Sequence, residues 1–172
     1  MSTLTADPGF ARGQVLGITK PLYDAQVGDG SHILGVAKVF LDTDPTHHKL
    51  NSNVTVECVA VKNKTGGALL PGSVVRFSPT AVLTEVDALG AQASVRVGVV
   101  DEYLPPAGAP ADEVLWVVVS GPTTATTNGN PIAAGGEVGV SAAAGKVAED
   151  NTKKVGVAIS AAVGTTVRVL LG

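Results

Sequence analysis

Few residues in this chain have a type and spacing suited to chemistry, and each group is judged first by what its spacing allows. Asp42-Thr43-Asp44-Pro45-Thr46-His47-His48 places two carboxylates and two imidazoles in one short stretch. Adjacent histidines on an extended segment point apart. Neither the His-x3-His spacing of a helical metal site nor the central glycine of a calcium loop is present, so the stretch reads as a solvated loop. Gly139 to Lys146 resembles a phosphate cradle, yet five residues separate Gly139 from Gly145 and Val147 follows the lysine. A P-loop needs four residues there and a Ser or Thr after the lysine, so this stretch is a turn before a strand. No Gly-x-Ser-x-Gly elbow occurs. Cys58 alternates with Val54, Val56 and Ala60, where apolar surroundings raise a thiol pKa and keep it inert. Glu85, Asp87, Asp101 and Glu102 offer carboxylate pairs that no spacing sets across a cleft, and they read as strand-end and loop solubilisers. Asn53-Val54-Thr55 and Asn63-Lys64-Thr65 match the glycosylation acceptor pattern. The lone Trp116 would serve as a sugar-stacking platform if exposed, but a strand apolar on both faces makes it a core or subunit-interface residue. The sequence therefore predicts no catalytic residue, no metal ligand and no cofactor.

The composition narrows the partners. Twelve Lys+Arg against 15 Asp+Glu give a formal net charge of -3, so a polyanion would meet no basic face and nucleic acid is not an expected partner. No apolar run approaches the ~18 residues that cross a bilayer as a helix, and no membrane is expected. The start Met-Ser-Thr-Leu-Thr-Ala-Asp lacks the charged-then-apolar order of a secretion signal, and one cysteine forms no internal disulfide; the expected compartment is the cytoplasm. The apolar content is carried by Val and Ala, and 21 Gly with 10 Pro demand frequent turns. β-branched Val suits a pleated surface, which tilts the chain to all-β.

The elements that must position these residues are short. Residues 1–31 hold Phe10, Val15, Leu16, Ile18, Leu22 and Tyr23 between glycines and Pro21 with no sustained period, and read as an extended N-terminal arm. Residues 32–172 read as a single β-rich domain. Strands are expected at His32–Leu41 and Asn53–Lys62, with a polar loop from Asp42 to Ser52 between them. After the turns at Asn63–Gly67 and Leu70–Gly72 comes a strand at Ser73–Phe77. Ser78-Pro79 followed by Val82, Val86 and Leu89 and then Gly90 predicts one short helix. Further strands are expected at Ala93–Val100, Glu113–Ser120, Glu137–Ser141, Gly145–Ala148, Lys154–Ser160 and Thr165–Leu171. Val97-Gly98-Val99-Val100 and Val155-Gly156-Val157-Ala158 form a weak internal echo, each preceding a pairing strand. Glu113–Ser120 is apolar on both faces, so something must cover it twice. The expected fold is a small β-sandwich or partly closed β-barrel with an extended N-terminal arm and at most one short helix.

Asn63-Lys64-Thr65-Gly66-Gly67-Ala68-Leu69-Leu70-Pro71-Gly72-Ser73-Val74-Val75 resembles a stretch of the capsid cement, or decoration, proteins of tailed bacteriophages. The resemblance continues through Val97-Gly98-Val99-Val100-Asp101-Glu102 and Leu115-Trp116-Val117-Val118-Val119-Ser120-Gly121-Pro122. It ends with Gly145-Lys146-Val147, Val155-Gly156-Val157-Ala158 and Val167-Arg168-Val169-Leu170, in that order and within about Asn53 to Gly172. What it implies is a β-rich homotrimer on the outside of an expanded phage head, assembled in the host cytoplasm, that staples neighbouring major capsid protein subunits without catalysis. The arm lies outside the resembling stretch. Physically, an apolar segment spaced by Gly and Pro can add itself to a partner's sheet edge, so Phe10, Val15, Leu16, Ile18, Leu22 and Tyr23 are the expected capsid-docking residues. Leu115, Trp116, Val117 and Val119 are the expected subunit interface, since trimerisation would cover the second apolar face. Two other classes compete: a tail-fibre or carbohydrate-binding β module that stacks sugars on Trp116, Tyr23 or Tyr103, and a small hydrolase or lyase that would use Asp101 or His48. No small-molecule substrate is expected, because no spacing predicts a convergent polar pocket.

Overall fold

The computed structural model describes residues 34–44, 49–81, 83–90, 96–150 and 154–172. The arm residues Phe10, Val15, Leu16, Ile18, Leu22 and Tyr23, and His47 and His48, lie outside them. The described chain is all-β. Its ten strands are β1 (Ala37–Asp44), β2 (Lys49–Asn63), β3 (Val74–Phe77), β4 (Glu85–Leu89), β5 (Val97–Val100), β6 (Val114–Thr126), β7 (Glu137–Val140), β8 (Val147–Glu149), β9 (Lys154–Ala158) and β10 (Thr166–Leu171). They follow the order β1-β2-β4-β3-β5-β6-β10-β9-β7-β8, and β2 also pairs with β6. That extra pairing bends β2, β4, β3, β5 and β6 into a partly closed ring, not a barrel. The join of β2 to β4 is parallel, through Lys62↔Glu85 and Asn63↔Val86.

Strict alternation along β6 divides the interior in two. Val114, Trp116 and Val118 face a core with Phe40, Val56, Cys58 and Ala60 on one side and Val138, Val167 and Val169 on the other. Leu115 and Val117 face a second core inside the ring, with Val59, Val61, Val75, Phe77 and Val86. β2 divides the same way. Valine dominates both cores because a β-branched side chain packs well on a pleated surface, and burial stabilises by roughly 1.5 kcal/mol or more per such group. Phe40 meets Trp116 edge to face, with ring centroids 5.4 Å apart at 74°.

Three sequence expectations are corrected. Ser78–Gly90 contains no helix among its described residues: Leu83 takes φ 56°, Ser78 N donates to Glu85 O, and the chain turns back as β4, antiparallel to β3. Val86 and Leu89 suit a helical face, but tertiary pairing with β3 overrides that spacing and buries Val86 as a strand residue. Asp42–Ser52 is not one open loop, because β1 continues to Asp44 and β2 starts at Lys49. The third correction concerns the strand expected to stop at Ser120. β6 runs on through Gly121-Pro122 to Thr126 by exchanging its partner β2 for β10. Proline is tolerated at such a changeover, where the ladder is interrupted.

Gly121 makes the changeover possible. It has φ 96°, and a Cβ there would stand 2.5 Å from Thr55 O and 3.0 Å from the Val56 Cα. Gly121→Ala is expected to cost about 2 kcal/mol or more in denaturant unfolding, from strain plus contact. Gly129→Ala is the control: φ there is 93° with nothing within 4 Å, so only the backbone cost, about 1 kcal/mol, is expected. Equal losses for the two variants would show that the approach of β6 to β2 is not limiting.

Candidate functional site

Most of the side chains that drew attention in the sequence are engaged in structural contacts. Trp116 is 2% exposed and cannot stack a sugar, and Leu115 and Val117 are buried with it. Both faces of this strand are covered within one subunit, by the two cores, and Val119 is half-buried at the end of the run. Cys58 is buried, and burial, with the charges of Asp101 and Glu57, pushes its thiol well above the ordinary range. Gly145 turns β7 into β8, with Ser141 N donating to Lys146 O at 2.9 Å, which is hairpin geometry. Arg76 Nε donates to Asp87 at 2.8 Å across β3 and β4. Among the described residues no group of three or more His, Cys, Asp or Glu side chains is placed to hold a metal.

Asn63 shows how the recognisable turn is built. Its side chain is buried at the end of β2; Nδ2 donates to Gly67 O at 2.8 Å, Ala109 O at 2.9 Å and Pro110 O at 3.1 Å. Its Oδ1 accepts from Thr65 N and Thr65 Oγ1. The amide is fully occupied, so this acceptor pattern is a turn lock and no exposed glycosylation site. Leu69 and Ala109 exchange two backbone hydrogen bonds at 2.9 Å, tying the turn to the proline-rich loop.

Spacing gave no hint of the polar cluster around Arg168. The guanidinium of this β10 residue bonds Asp42 of β1, Glu102 at 2.5 Å in the loop after β5, and Thr124 Oγ1 at 3.3 Å on β6. Ser52 Oγ donates to Asp42 at 2.7 Å, and Thr124 Oγ1 donates to Glu102 at 2.7 Å. Asp42 is therefore buried and paired, where the sequence predicted a solvated loop residue. Burial works against the Arg168 charge, but the Asp42 hydrogen bond and the Glu102 and Asp42 charges outweigh it and raise its pKa. Such a cluster locks geometry: it offers no vacant acid, base or nucleophile.

Asp101 differs from its neighbour. Completely buried, it accepts from Tyr103 N at 3.0 Å. Burial raises its pKa well above the carboxylate range; the Tyr103 hydrogen bond opposes this and Glu102 adds to it. A cavity of about 190 Å³ lies between β5, β9 and β10, lined by Val74, Val99, Val155 and Leu171 with Arg96 and Lys154. Lys154 bonds Glu137 at 2.7 Å, and the Arg96 guanidinium lies 5.8 Å over the Phe77 ring. The polar groups at this cavity point to no reaction.

The fold and these contacts define a β-protein that combines a partly closed ring with a second sheet, joined through one long strand. No protein-family model matches the chain, and no curated protein matches it. Among solved structures the chain is similar to the head fiber gp8.5 N base of bacteriophage phi29, at 13% identity and a TM-score of 0.46 over 67% of this chain and 92% of that one.

Two outcomes follow from the charges. Arg168→Ala leaves Asp42 buried without its cation, and a loss on the order of 3 kcal/mol is expected in chemical denaturation, whereas Lys154→Ala at an exposed pair changes stability by under ~1 kcal/mol. Asp101 binds its proton more tightly folded than unfolded, so its contribution is complete below the ordinary carboxylate range and is lost as pH rises through the raised value. The stability of Asp101→Asn relative to the parent should then increase from pH 4 to pH 8, read from denaturation midpoints. A flat difference would mean that the Asp101 carboxyl ionises as readily in the fold as outside it.

Proposed function

We propose that this chain is a non-enzymatic structural protein of a tailed-phage virion, a cement or decoration protein that binds the outer surface of the expanded head and staples major capsid protein subunits. The observation that carries the reading is the ordered series of resembling segments from Asn63 to Leu170. Those segments are the ones that build the body: the Asn63 turn with β3, then β5, the core-dividing part of β6, and β8, β9 and β10. The fate of the polar side chains supports it as well. Asp42, Asp87, Asp112, Glu102 and Glu137 each hold an ion pair, which suits a load-bearing body better than an active site.

In this reading the arm makes the shell contact through Phe10, Val15, Leu16, Ile18, Leu22 and Tyr23, adding a strand to an edge on the capsid. The protein works as a homotrimer on the virion surface after assembly in the host cytoplasm. Three arms on one trimer make the second and third contacts intramolecular, which raises avidity ~10²–10⁴-fold over a single weak site. Because Leu115, Trp116 and Val117 are covered within the subunit, the trimer contact would draw on other surfaces. Sugar binding is the weaker alternative, since Trp116 is buried and Tyr103 half-buried.

The test is co-sedimentation with expanded heads, paired with light scattering of the free protein. The full chain should run as a trimer and saturate the heads; a chain lacking residues 1–23 should remain a trimer and fail to sediment. Full binding without residues 1–23 removes the arm from the docking role, and a monomer indifferent to heads removes the reading itself.

A further inference from the structure

Asn128-Gly129 is the one Asn-Gly pair in the sequence, and it lies in the turn that leads out of β6. The chain before it is clamped: Thr127 is buried, Thr127 N donates to Thr165 O at 2.8 Å and Asn128 N to Val147 O at 3.1 Å. Beyond the pair, Ile132 is buried in the first core and its carbonyl accepts from Ala162 N at 2.9 Å. Between these anchors Gly129 and Asn130 are exposed. The Asn128 side chain folds back on its own backbone, where Oδ1 accepts from Asn130 N at 3.1 Å in an Asx turn. Such a turn carries the side-chain carbonyl over the peptide of residue 129, whose nitrogen closes a five-membered ring when it bonds Cγ. The Asn130 N–H on Oδ1 also draws electron density from Cγ and would stabilise the oxyanion formed on attack. Gly129 N donates to Thr127 Oγ1 at 3.2 Å, the long end of the hydrogen-bond range, so little holds that nitrogen back. A side chain at 129 would crowd the closing ring; glycine has none, its φ is 93°, and nothing stands within 4 Å of where a Cβ would be. Other asparagines lack this combination: Asn130 precedes a proline, which has no N–H to give up, and Asn63 is buried with its amide fully engaged.

We propose that Asn128 is a site of spontaneous and irreversible covalent modification, deamidation through a succinimide. Gly129 N bonds Asn128 Cγ, the Cγ–Nδ2 bond breaks, and the side-chain nitrogen leaves as ammonia with the Gly129 amide proton. Water, which has access to the exposed turn, then opens the ring at either carbonyl. Opening at Cγ gives an aspartyl residue; opening at the main-chain carbonyl gives an isoaspartyl residue whose backbone runs through Cγ. No electrons change hands and no catalyst is required. Either product adds a negative charge to a chain of formal net charge -3, and the isoaspartyl form lengthens the backbone by a carbon between the two anchors. The inference goes beyond the capsid reading and does not draw on it.

Peptide mass mapping of the full chain, held folded in mildly alkaline buffer, tests it. Conversion of amide to acid should accumulate at position 128 as both isomers, with ammonia released in equal amount, and faster at higher pH because the attacking nitrogen must lose its proton. Gly129→Ala, at an open position that folding tolerates, should slow the conversion about tenfold or more, since ring closure depends on how the reacting atoms meet. Asn128→Gln should leave the position unchanged over the same period, because its longer side chain would have to close a larger ring. Conversion that occurs only in denaturant, or that runs equally fast in Gly129→Ala, overturns the proposal. Neither outcome bears on whether the protein binds heads, so the two readings fail separately.

Discussion

A single strand that must be buried on both faces governs this architecture. Val114 to Val118 puts five consecutive apolar residues into β6, and no sheet with one wet face can hold them. The chain meets the requirement by folding a ring against one face and a second sheet against the other. Most of the topology follows. β2 must pair with β6 to close the ring, β10 must pair with the far half of β6 to begin the second sheet, and β6 must bend between the two jobs at Gly121. Small valine side chains keep both cores thin enough to share that strand. A larger residue at Leu115 or Val117 would push on the ring, and one at Trp116 or Val118 on the other sheet.

The cluster at Arg168 answers a different demand. Phe40 and Val56 hold the ribbon of β1 and the first half of β2 to the first core. Joining Asp42 to β10, and through Glu102 to the loop after β5, ties three distant parts of the chain at one guanidinium. Its planar fork can meet two carboxylates and a hydroxyl at once, which a lysine ammonium on a flexible stem holds less rigidly. An ion network of this sort adds specificity of arrangement more than net stability, because desolvation offsets much of the attraction.

The all-β class, the partial closure and nearly every strand after Glu113 were legible because Val alternates with Gly and polar residues, and Gly, Pro or Asn separates each run. The echo between Val97-Gly98-Val99 and Val155-Gly156-Val157 has a shared cause. Each glycine lies where a Cβ would strike the next strand: at 2.4 Å from Val117 Cγ1 for Gly98, and at 2.1 Å from Leu170 O for Gly156. The errors came from local ambiguity that only long-range pairing resolves. Val86 and Leu89 fit a helix or a strand equally by spacing, and Gly121-Pro122 reads as a stop unless β10 is known to wait beyond it. Nothing local tells that Asp42 will meet Arg168. The double apolar face of Leu115 to Val119 was read from sequence as needing a subunit partner, whereas the chain itself supplies the cover.

That self-sufficiency changes where recognition can reside. A body that has satisfied its central strand internally, and has spent five carboxylates on ion pairs, presents few groups that could steer a small molecule. Its exposed large aliphatics, among the described residues, are Val39, Leu41 and Val54 on the ribbon, Leu70 beside the proline-rich loop, Ile159 and Val163 between β9 and β10, and Leu170 on β10. Scattered aliphatics bind weakly one at a time, and weak contacts become firm only when several act together from a rigid frame. The Asn63 lock, the reciprocal Leu69–Ala109 bridge and the Arg168 cluster make the frame rigid. Rigidity placed beside exposed apolar groups lowers the entropy lost on contact, so each contact can be small and still count.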